Sequence, residues 1–170
     1  MDFPPDLSAA GFRFNNDGTK IFSSAGSRSH IIELKTYSPY SISRYSGNSY
    51  DVTSVSASSI GFEFNNDGTK LYIMDYTDFD SLEQHSLSTA YDLSTASYDG
   101  VDYNFYSQDT LPFGFTFKPD GTKLYMVGTS TDTVYQYSLS TAFDLSTVSY
   151  DSKSVYVGTE NGSAYDIKFK

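Results

Sequence analysis

The 170-residue sequence contains no cysteine and no tryptophan, and it has only five prolines and two histidines. Without cysteine the chain can form neither disulfide bonds nor thiolate metal sites. No stretch approaches the roughly 20 consecutive apolar residues that a membrane-spanning helix requires. The first ten residues, MDFPPDLSAA, carry neither the basic region nor the apolar core of a signal peptide. We therefore predict no membrane insertion, and no signal peptide is visible on this chain.

Positive charge is also scarce. The chain has 11 Lys and Arg residues against 21 Asp and Glu residues, which gives a formal net charge of −10. A protein that binds the phosphate backbone of nucleic acids needs clustered Lys and Arg. We therefore predict no nucleic-acid partner, and we interpret the acidic surface as one that favours solubility.

What the sequence does contain is a phrase repeated three times. Residues 11–22 read GFRFNNDGTKIF, residues 61–72 read GFEFNNDGTKLY, and residues 114–125 read GFTFKPDGTKLY. A second phrase, SLSTAYDLSTASYD at 86–99, returns as SLSTAFDLSTVSYD at 138–151. A period near 50 residues indicates similar supersecondary units stacked side by side. The abundant Phe and Tyr suit strands, because aromatic side chains fit a pleated surface.

The third repeat is the clearest copy of the unit. Phe115 and Phe117 alternate with small residues, as in a short strand. The segment 118–122, KPDGT, predicts a tight hairpin turn in which the glycine has positive φ, and the same holds for Gly18 and Gly68. Further strands are predicted at 123–128, 133–139 and 152–158.

Four antiparallel strands in about 50 residues, repeated in series, are typical of a β-propeller blade. A helical solenoid is excluded because no segment has an apolar period of 3.6 residues. A β-sandwich does not require three similar hairpins at constant spacing. We therefore predict an all-β protein, a β-propeller of four-stranded antiparallel blades. The predicted units are a divergent blade at 1–60, blades at 61–113 and 114–163, and the first strand of a fourth at 164–170.

Three blades and one strand are too few to close a propeller ring, which typically has four to eight blades. Two interpretations follow. Either the chain is a fragment of a longer propeller, or two chains close a ring of about six blades by two-fold symmetry. The sequence favours the second interpretation, a homo-oligomer, because an open arc leaves blade faces uncovered.

The phrases GFxFxxDGTKLY and LSTAFDLST resemble the DGTK-type propeller repeats of bacterial surface and secreted proteins and of phage structural proteins. These repeats are loosely related to the YVTN and NHL blades. The similarity covers nearly the whole chain, although repeat 1 departs from it at 21–26 and 37–40. The resemblance implies a propeller scaffold and a binding role, and it implies an extracellular or virion-surface location.

The sequence offers no clear catalytic or metal-binding set. The segment 63–68 mimics the first half of an EF-hand, but Met74 stands where a calcium-binding glutamate is needed. His30 and His85 occupy nearly corresponding places, and Tyr137 replaces His85 in the third repeat, which favours a packing role. No positioned base supports a Ser–His–Asp arrangement. We therefore predict no metal, no cofactor and no enzyme activity.

The tyrosines offer flat apolar faces with polar tips, which suit both inter-blade packing and sugar stacking. Packing is the favoured role for Tyr72, Tyr76, Tyr91, Tyr125, Tyr135, Tyr137 and Tyr150. The predicted function is a non-enzymatic interaction module that binds a glycan or a protein on a cell or virion surface. The alternative is a purely structural building block without a small ligand, and a propeller hydrolase or lactonase ranks last.

Overall fold

Twelve β-strands form three separate four-stranded sheets. The computed structural model describes residues 9–25, 30–41, 44–51, 59–75, 80–159 and 164–169. Blade 1 contains β1 (Ala9–Phe14), β2 (Lys20–Ala25), β3 (His30–Thr36) and β4 (Arg44–Asp51). Blade 2 contains β5 (Ser59–Phe64), β6 (Lys70–Asp75), β7 (Ser81–Leu87) and β8 (Ala96–Asn104). Blade 3 contains β9 (Pro112–Phe117), β10 (Lys123–Gly128), β11 (Thr133–Leu139) and β12 (Val148–Tyr156).

Each sheet follows the order of its strands along the chain, and all neighbouring strands are antiparallel. The predicted all-β architecture of four-stranded blades is therefore confirmed. Within the described ranges, the helical segments are two single 3₁₀ turns, Leu93–Thr95 and Leu145–Thr147. None of the helices in those ranges is long and apolar enough to cross a membrane.

The strand boundaries of repeat 3 agree with the sequence except at the last strand. Strands β10 and β11 coincide with the predicted segments, whereas the predicted fourth strand, 152–158, is wrong because β12 begins at Val148. The side chain of Asp144 accepts a hydrogen bond from the backbone N–H of Ser146 at 3.0 Å, which caps a 3₁₀ turn. The chain is extended directly after this turn, and Val148 pairs with Leu139.

The hairpin turns form as predicted. The turn glycines have φ of +71° at Gly18, +74° at Gly68 and +72° at Gly121. In the third turn, Asp120 Oδ1 accepts hydrogen bonds from the backbone N–H and the hydroxyl of Thr122 at 3.0 and 2.6 Å. The Phe143 ring lies directly against Gly121, in the space that a Cβ would need. Glycine is thus required here by the backbone conformation and by the ring above it.

Hydrophobic side chains fill the space between consecutive blades. Between blades 1 and 2 the buried cluster includes Phe22, Ile31, Phe62, Leu71 and Ile73. Between blades 2 and 3 it includes Tyr72, Met74, Phe115, Phe117, Leu124, Met126 and Tyr137. Burial of these side chains is the main stabilising contribution that one blade receives from the next.

The lysines of the first two DGTK phrases also join one blade to the next. Lys20 Nζ donates to the carbonyl oxygen of Tyr91 at 2.6 Å, and Lys70 Nζ donates to that of Phe143 at 3.0 Å. In blade 3 the equivalent Lys123 instead donates within its own blade, to Ser138 Oγ and Asp151 Oδ2. The repeated phrase therefore specifies the packing between blades as well as the hairpin.

Residues 164–169 lie beside β9, where the inner strand of a fourth blade would lie. The rings of Phe169 and Tyr125 are 5.0 Å apart, which repeats the 4.5 Å contact between Phe117 and Tyr72 one blade earlier. The segment thus takes the place predicted for it, although within the described residues it forms no hydrogen-bonded ladder. Residues 1–8, 26–29, 42–43, 52–58, 76–79, 160–163 and 170 of the predicted units lie outside the described residues.

Candidate functional site

The first strands of the blades meet at one inner edge. Strands β1, β5 and β9 contact one another in sequence, and residues 164–169 continue this row. In a β-propeller such an edge borders the central channel. The third residue of each four-residue strand motif differs between the blades: Arg13 in GFRF, Glu63 in GFEF, Thr116 in GFTF and Lys168 in DIKF.

Glu63 connects three of these inner segments. Its Oε1 accepts hydrogen bonds from the backbone N–H of Phe117 at 3.2 Å and from the Thr116 hydroxyl at 3.4 Å. Its Oε2 forms an ion pair with Lys168 Nζ at 2.9 Å. The Glu63 side chain is 19% exposed and that of Lys168 is 40% exposed, so the pair lies at the border of solvent.

A cavity of about 270 Å³ opens beside this inner edge. It contains three glycines, four aromatic residues and two ionisable residues. The lining residues are Gly11, Gly61, Gly114, Phe62, Phe113, Phe115, Tyr165, Arg13 and Asp166. We call it the channel cavity. Gly61 and Gly114 allow the next inner segment to approach closely. The Phe113 and Tyr165 rings offer apolar surface against which a ring can stack.

Arg13 and Asp166 are the two charged residues of the cavity wall. Arg13 Nη1 donates to the carbonyl oxygen of Phe12 at 2.9 Å, and the guanidinium has four further N–H donors. One carboxylate oxygen of Asp166 accepts from the backbone N–H of Ile167 at 2.9 Å, and the carboxylate is exposed. The cavity therefore offers a fixed positive charge and a carboxylate that can accept a proton.

The sequence prediction missed both residues, although a signal for each is present. Arg13 occupies the one position that changes from copy to copy within an otherwise constant strand motif. Asp166 stands where the three earlier copies have Gly11, Gly61 and Gly114. A charged residue at a position that otherwise requires a small residue departs from the repeat in a way that packing does not explain. A functional site made of residues that differ between the repeats is not indicated by the residues that the repeats have in common.

Both histidines lie on the third strand of their blade, as predicted, but at different positions along it. His30 begins β3, whereas His85 is the fifth residue of β7. The second part of the prediction is confirmed, because His85 and Tyr137 do occupy equivalent places and are both fully buried. The His85 ring contacts the rings of Tyr50 and Tyr98 with centroids 5.5 and 5.3 Å apart.

A buried polar pair accompanies this histidine. His85 Nε2 lies 3.5 Å from Glu83 Oε2, and His85 Nδ1 lies 3.1 Å from the Tyr50 hydroxyl of blade 1. Burial raises the pKa of Glu83 to about 8, and the nearby Asp75 and Asp102 carboxylates add to the shift. Burial lowers the pKa of His85 to about 4. The pair faces the contact between blades 1 and 2 and not the channel cavity.

The tyrosines with described side chains mainly pack between blades, as predicted. Tyr72 and Tyr137 are fully buried, and Tyr91 contacts the Phe22 and Phe64 rings. Tyr76 lies outside the described residues. Among the described residues no group of three or more His, Asp or Glu side chains could hold a metal ion.

The EF-hand resemblance at 63–68 has a structural explanation. Asp67 Oδ1 accepts hydrogen bonds from the backbone N–H and the hydroxyl of Thr69 at 2.9 and 2.6 Å. These bonds hold the pKa of Asp67 below its usual value. Met74, at the position where a calcium ligand was sought, is fully buried in the core. The carboxylate of this turn thus stabilises the hairpin.

Comparison with known proteins identifies the fold. No protein-family model matches the sequence, and no curated protein matches it at a significant level. Among solved structures, one provisionally assigned as a 6-phosphogluconolactonase from Bacteroides fragilis has 16% identity and a TM-score of 0.66 over 92% of this chain. The periplasmic gluconolactonase of Pseudomonas aeruginosa has 15% identity and a TM-score of 0.65, also over 92%. The β-propeller domain of Myceliophthora thermophila Cps50 has 8% identity and a TM-score of 0.54 over 85%.

These comparisons correct the predicted function. The chain spans 41%, 42% and 44% of those three proteins. The prediction of a non-enzymatic module, with a structural block as its alternative, is wrong, because lactonase-type propellers are prominent among the structures that it resembles. The repeat pattern does not show that Arg13 and Asp166, which vary between the copies, line one cavity when the blades stack. At these identities the likeness shows the fold alone, and that fold is a β-propeller.

Proposed function

We propose that the channel cavity binds the lactone of a sugar acid and opens it by hydrolysis. The observation that carries this proposal is the presence of Arg13 and Asp166 in one cavity lined by glycines and aromatic rings. The gluconolactonase names of two similar propellers suggest the chemical class of the substrate. A cavity of about 270 Å³ suits a ligand of the size of a single sugar ring.

The chemistry of lactone opening matches the two charged residues. The carboxylate of Asp166 takes a proton from a water molecule, and the water oxygen forms a bond to the lactone carbonyl carbon. The guanidinium of Arg13 stabilises the negative charge that develops on the carbonyl oxygen. The bond between the carbonyl carbon and the ring oxygen then breaks, and the ring oxygen receives the proton. The product is the open-chain hydroxy acid.

The remaining lining residues supply the binding surface. Phe113 and Tyr165 offer rings that can stack on the C–H face of a sugar. Phe62 and Phe115 are buried in the cores between the blades and support the cavity wall from within.

The experiment is a direct hydrolysis assay on the intact protein. The opening of glucono-δ-lactone and of 6-phosphoglucono-δ-lactone is followed by acid release, with the uncatalysed rate subtracted. We expect faster opening with the wild-type protein and a loss of about 10²-fold or more for Asp166→Asn, as is typical for a general base. Arg13→Gln should cause a comparable loss.

The matched control is Asp102→Asn, which removes an exposed carboxylate on β8. This variant should retain the wild-type rate. Opening no faster than the uncatalysed rate with both lactones would contradict the proposal, and so would an Asp166→Asn variant that is as active as the control.

Several finer statements stay predictions from the sequence. These are carbohydrate as the ligand class, the extracellular or virion-surface location, and membership of the DGTK-type repeat family. The homo-oligomer also stays a prediction. Closure of the ring by a second copy would enclose the channel cavity, which is consistent with a binding site at the inner edge.

A further inference from the structure

Asp166 belongs to a segment that docks against the blades through only a few contacts. Within residues 164–169, Phe169 contacts the Tyr125 ring, and Tyr165 contacts the Phe113 ring with centroids 5.2 Å apart. Both aromatic residues of the segment remain exposed, with 59% of Tyr165 and 49% of Phe169 accessible. Such half-buried contacts hold a segment weakly. One additional polar contact therefore contributes a large part of the free energy that keeps the segment docked.

The polar contact to another inner segment is the ion pair between Lys168 and Glu63, at 2.9 Å. Glu63 is itself fixed, because it accepts the backbone N–H of Phe117 and the hydroxyl of Thr116. Lys168 lies two residues after Asp166, so both residues belong to the same short extended stretch. The carboxylate of blade 2 therefore reaches across blade 3 to the segment that carries the carboxylate of the cavity.

We infer that Glu63 is a positioning residue, whose ion pair with Lys168 holds residues 164–169 on the inner edge and thereby places Asp166 in the channel cavity. Glu63 does not contact the substrate in this arrangement. Its action is to fix the register of the segment. The effect on catalysis rests on the proposed function, whereas the docking of the segment does not.

Gly114 provides a second, independent way to disturb the docking. A Cβ at this position would lie 2.7 Å from the Asp166 Cα and 2.9 Å from the Tyr165 carbonyl oxygen, so the segment has to move away. At the equivalent Gly61 the nearest atom to such a Cβ is the Phe113 carbonyl oxygen at 3.4 Å, which is an ordinary contact. Gly61→Ala is therefore a matched control for Gly114→Ala.

The test measures how fast chymotrypsin cleaves the full chain after Tyr165, relative to a free peptide of the same local sequence, with the product followed by mass spectrometry. Cleavage requires the segment to leave the inner edge, so its rate reports the undocked fraction. We expect Glu63→Gln, which retains an oxygen for the Phe117 N–H, and Lys168→Met each to accelerate cleavage about two- to five-fold, as suits a half-exposed ion pair. The double variant should be cleaved no faster than the faster single variant, because both changes remove one interaction. Lys118→Met, which breaks the exposed pair with Asp120 at 2.6 Å, is the control and should leave cleavage unchanged.

Salt provides a test that needs no variant. Raising sodium chloride from 0.05 to 1 M shortens the screening length from above 10 Å to about 3 Å. Cleavage after Tyr165, relative to the free peptide in the same salt, should therefore accelerate in the wild-type protein and not in Lys168→Met. Equal cleavage rates in wild type, Lys168→Met and Gly114→Ala would overturn the inference.

Activity separates this inference from the proposed function. With a lactone substrate, Lys168→Met and Gly114→Ala should lower kcat more than they raise KM, because they displace a base and leave most of the cavity wall intact. Faster cleavage of these variants, in a protein that opens no lactone, would support the docking role of Glu63 and contradict the proposed function. Unchanged cleavage in a protein that opens lactones would support the proposed function and contradict the docking role.

Discussion

At the scale of single residues, the turn glycines show how one position can satisfy two requirements. Gly121 has a φ of +72°, and the Phe143 ring occupies the place of its missing Cβ. Gly100 has almost the same φ, +71°, but no heavy atom lies within 4 Å of the place where its Cβ would be. The chain thus contains a pair of glycines that separates backbone strain from steric conflict.

We predict that Gly100→Ala costs about 1 kcal/mol of unfolding free energy, which is the cost of a Cβ at positive φ. Gly121→Ala should cost clearly more, since the Phe143 ring must also move. Urea unfolding of both variants tests the difference. Equal losses would show that the ring adjusts freely and that only the backbone conformation demands glycine.

The buried pair of Glu83 and His85 makes stability depend on pH. The folded-state pKa of Glu83, about 8, lies above its ordinary value of 4.5, so the folded protein retains this proton longer than the unfolded chain. The resulting stabilisation is fully present below pH 4.5 and is lost as the pH rises towards 8. For His85 the dependence of stability on pH has the opposite sign. Because its pKa is lowered in the folded protein, its contribution to stability is lost as the pH falls towards 4.

We therefore predict that Glu83→Gln gains stability relative to wild type as the pH rises from 5 to 8.5, by on the order of 1–3 kcal/mol. His85 is present in both proteins, so its own titration largely cancels in the difference. Unfolding free energies in urea at pH 5, 7 and 8.5 provide the measurement. A difference that stays constant with pH would mean that Glu83 is already ionised in the folded protein.

At the scale of elements, equivalent segments of successive copies are buried to different extents. Phe117 of β9 is 5% exposed and packs against Tyr72, whereas Phe169 is 49% exposed and packs against Tyr125. The two residues hold the same place in successive copies. They differ in that Phe117 belongs to a blade with three further strands.

We predict that Phe117→Ala costs about 3–5 kcal/mol, as is usual for a large core aromatic. Phe169→Ala should cost less than about 1.5 kcal/mol, because about half of its surface stays in water. Thermal and urea unfolding of the two variants test this. Similar losses at both positions would contradict the view of 164–169 as a weakly docked segment.

The sequence predicted the elements well because the turn chemistry is local. The DGTK phrase fixes the hairpin between β9 and β10, so β10 begins at its predicted residue, and β11 also falls on its predicted residues. The sequence does not predict the start of β12, because a 3₁₀ turn capped by Asp144 comes directly before it. Local hydrogen bonds of this kind compete with strand formation and are hard to place from composition alone.

At the scale of the whole molecule, the candidate site depends on how the blades stack. Arg13 and Asp166 are more than 150 residues apart in the sequence, and only the row of inner segments brings them to one cavity. The spacing of a repeat predicts stacking, but it does not reveal which variable positions face the channel. Which variable residues line the cavity depends on the position of each inner segment relative to its neighbour.

The stacking also gives the lysines of the DGTK phrases different partners. Lys20 and Lys70 donate to carbonyl oxygens of the next blade, whereas Lys123 donates to its own Asp151. In a homo-oligomer, a second copy packed on blade 3 would be the next blade for Lys123. The solution mass at several concentrations tests the predicted homo-oligomer.

The proposed binding of a sugar-acid lactone between Arg13 and Asp166 is tested most directly by a crystal structure with a lactam analogue of gluconolactone. The lactam keeps the ring and carbonyl but resists opening. We predict electron density for the lactam in the channel cavity, with its carbonyl oxygen at hydrogen-bond distance from the Arg13 guanidinium. Its carbonyl carbon should face the Asp166 carboxylate across one water molecule. A saturated crystal with an empty cavity, or with the lactam bound elsewhere, would contradict the claim.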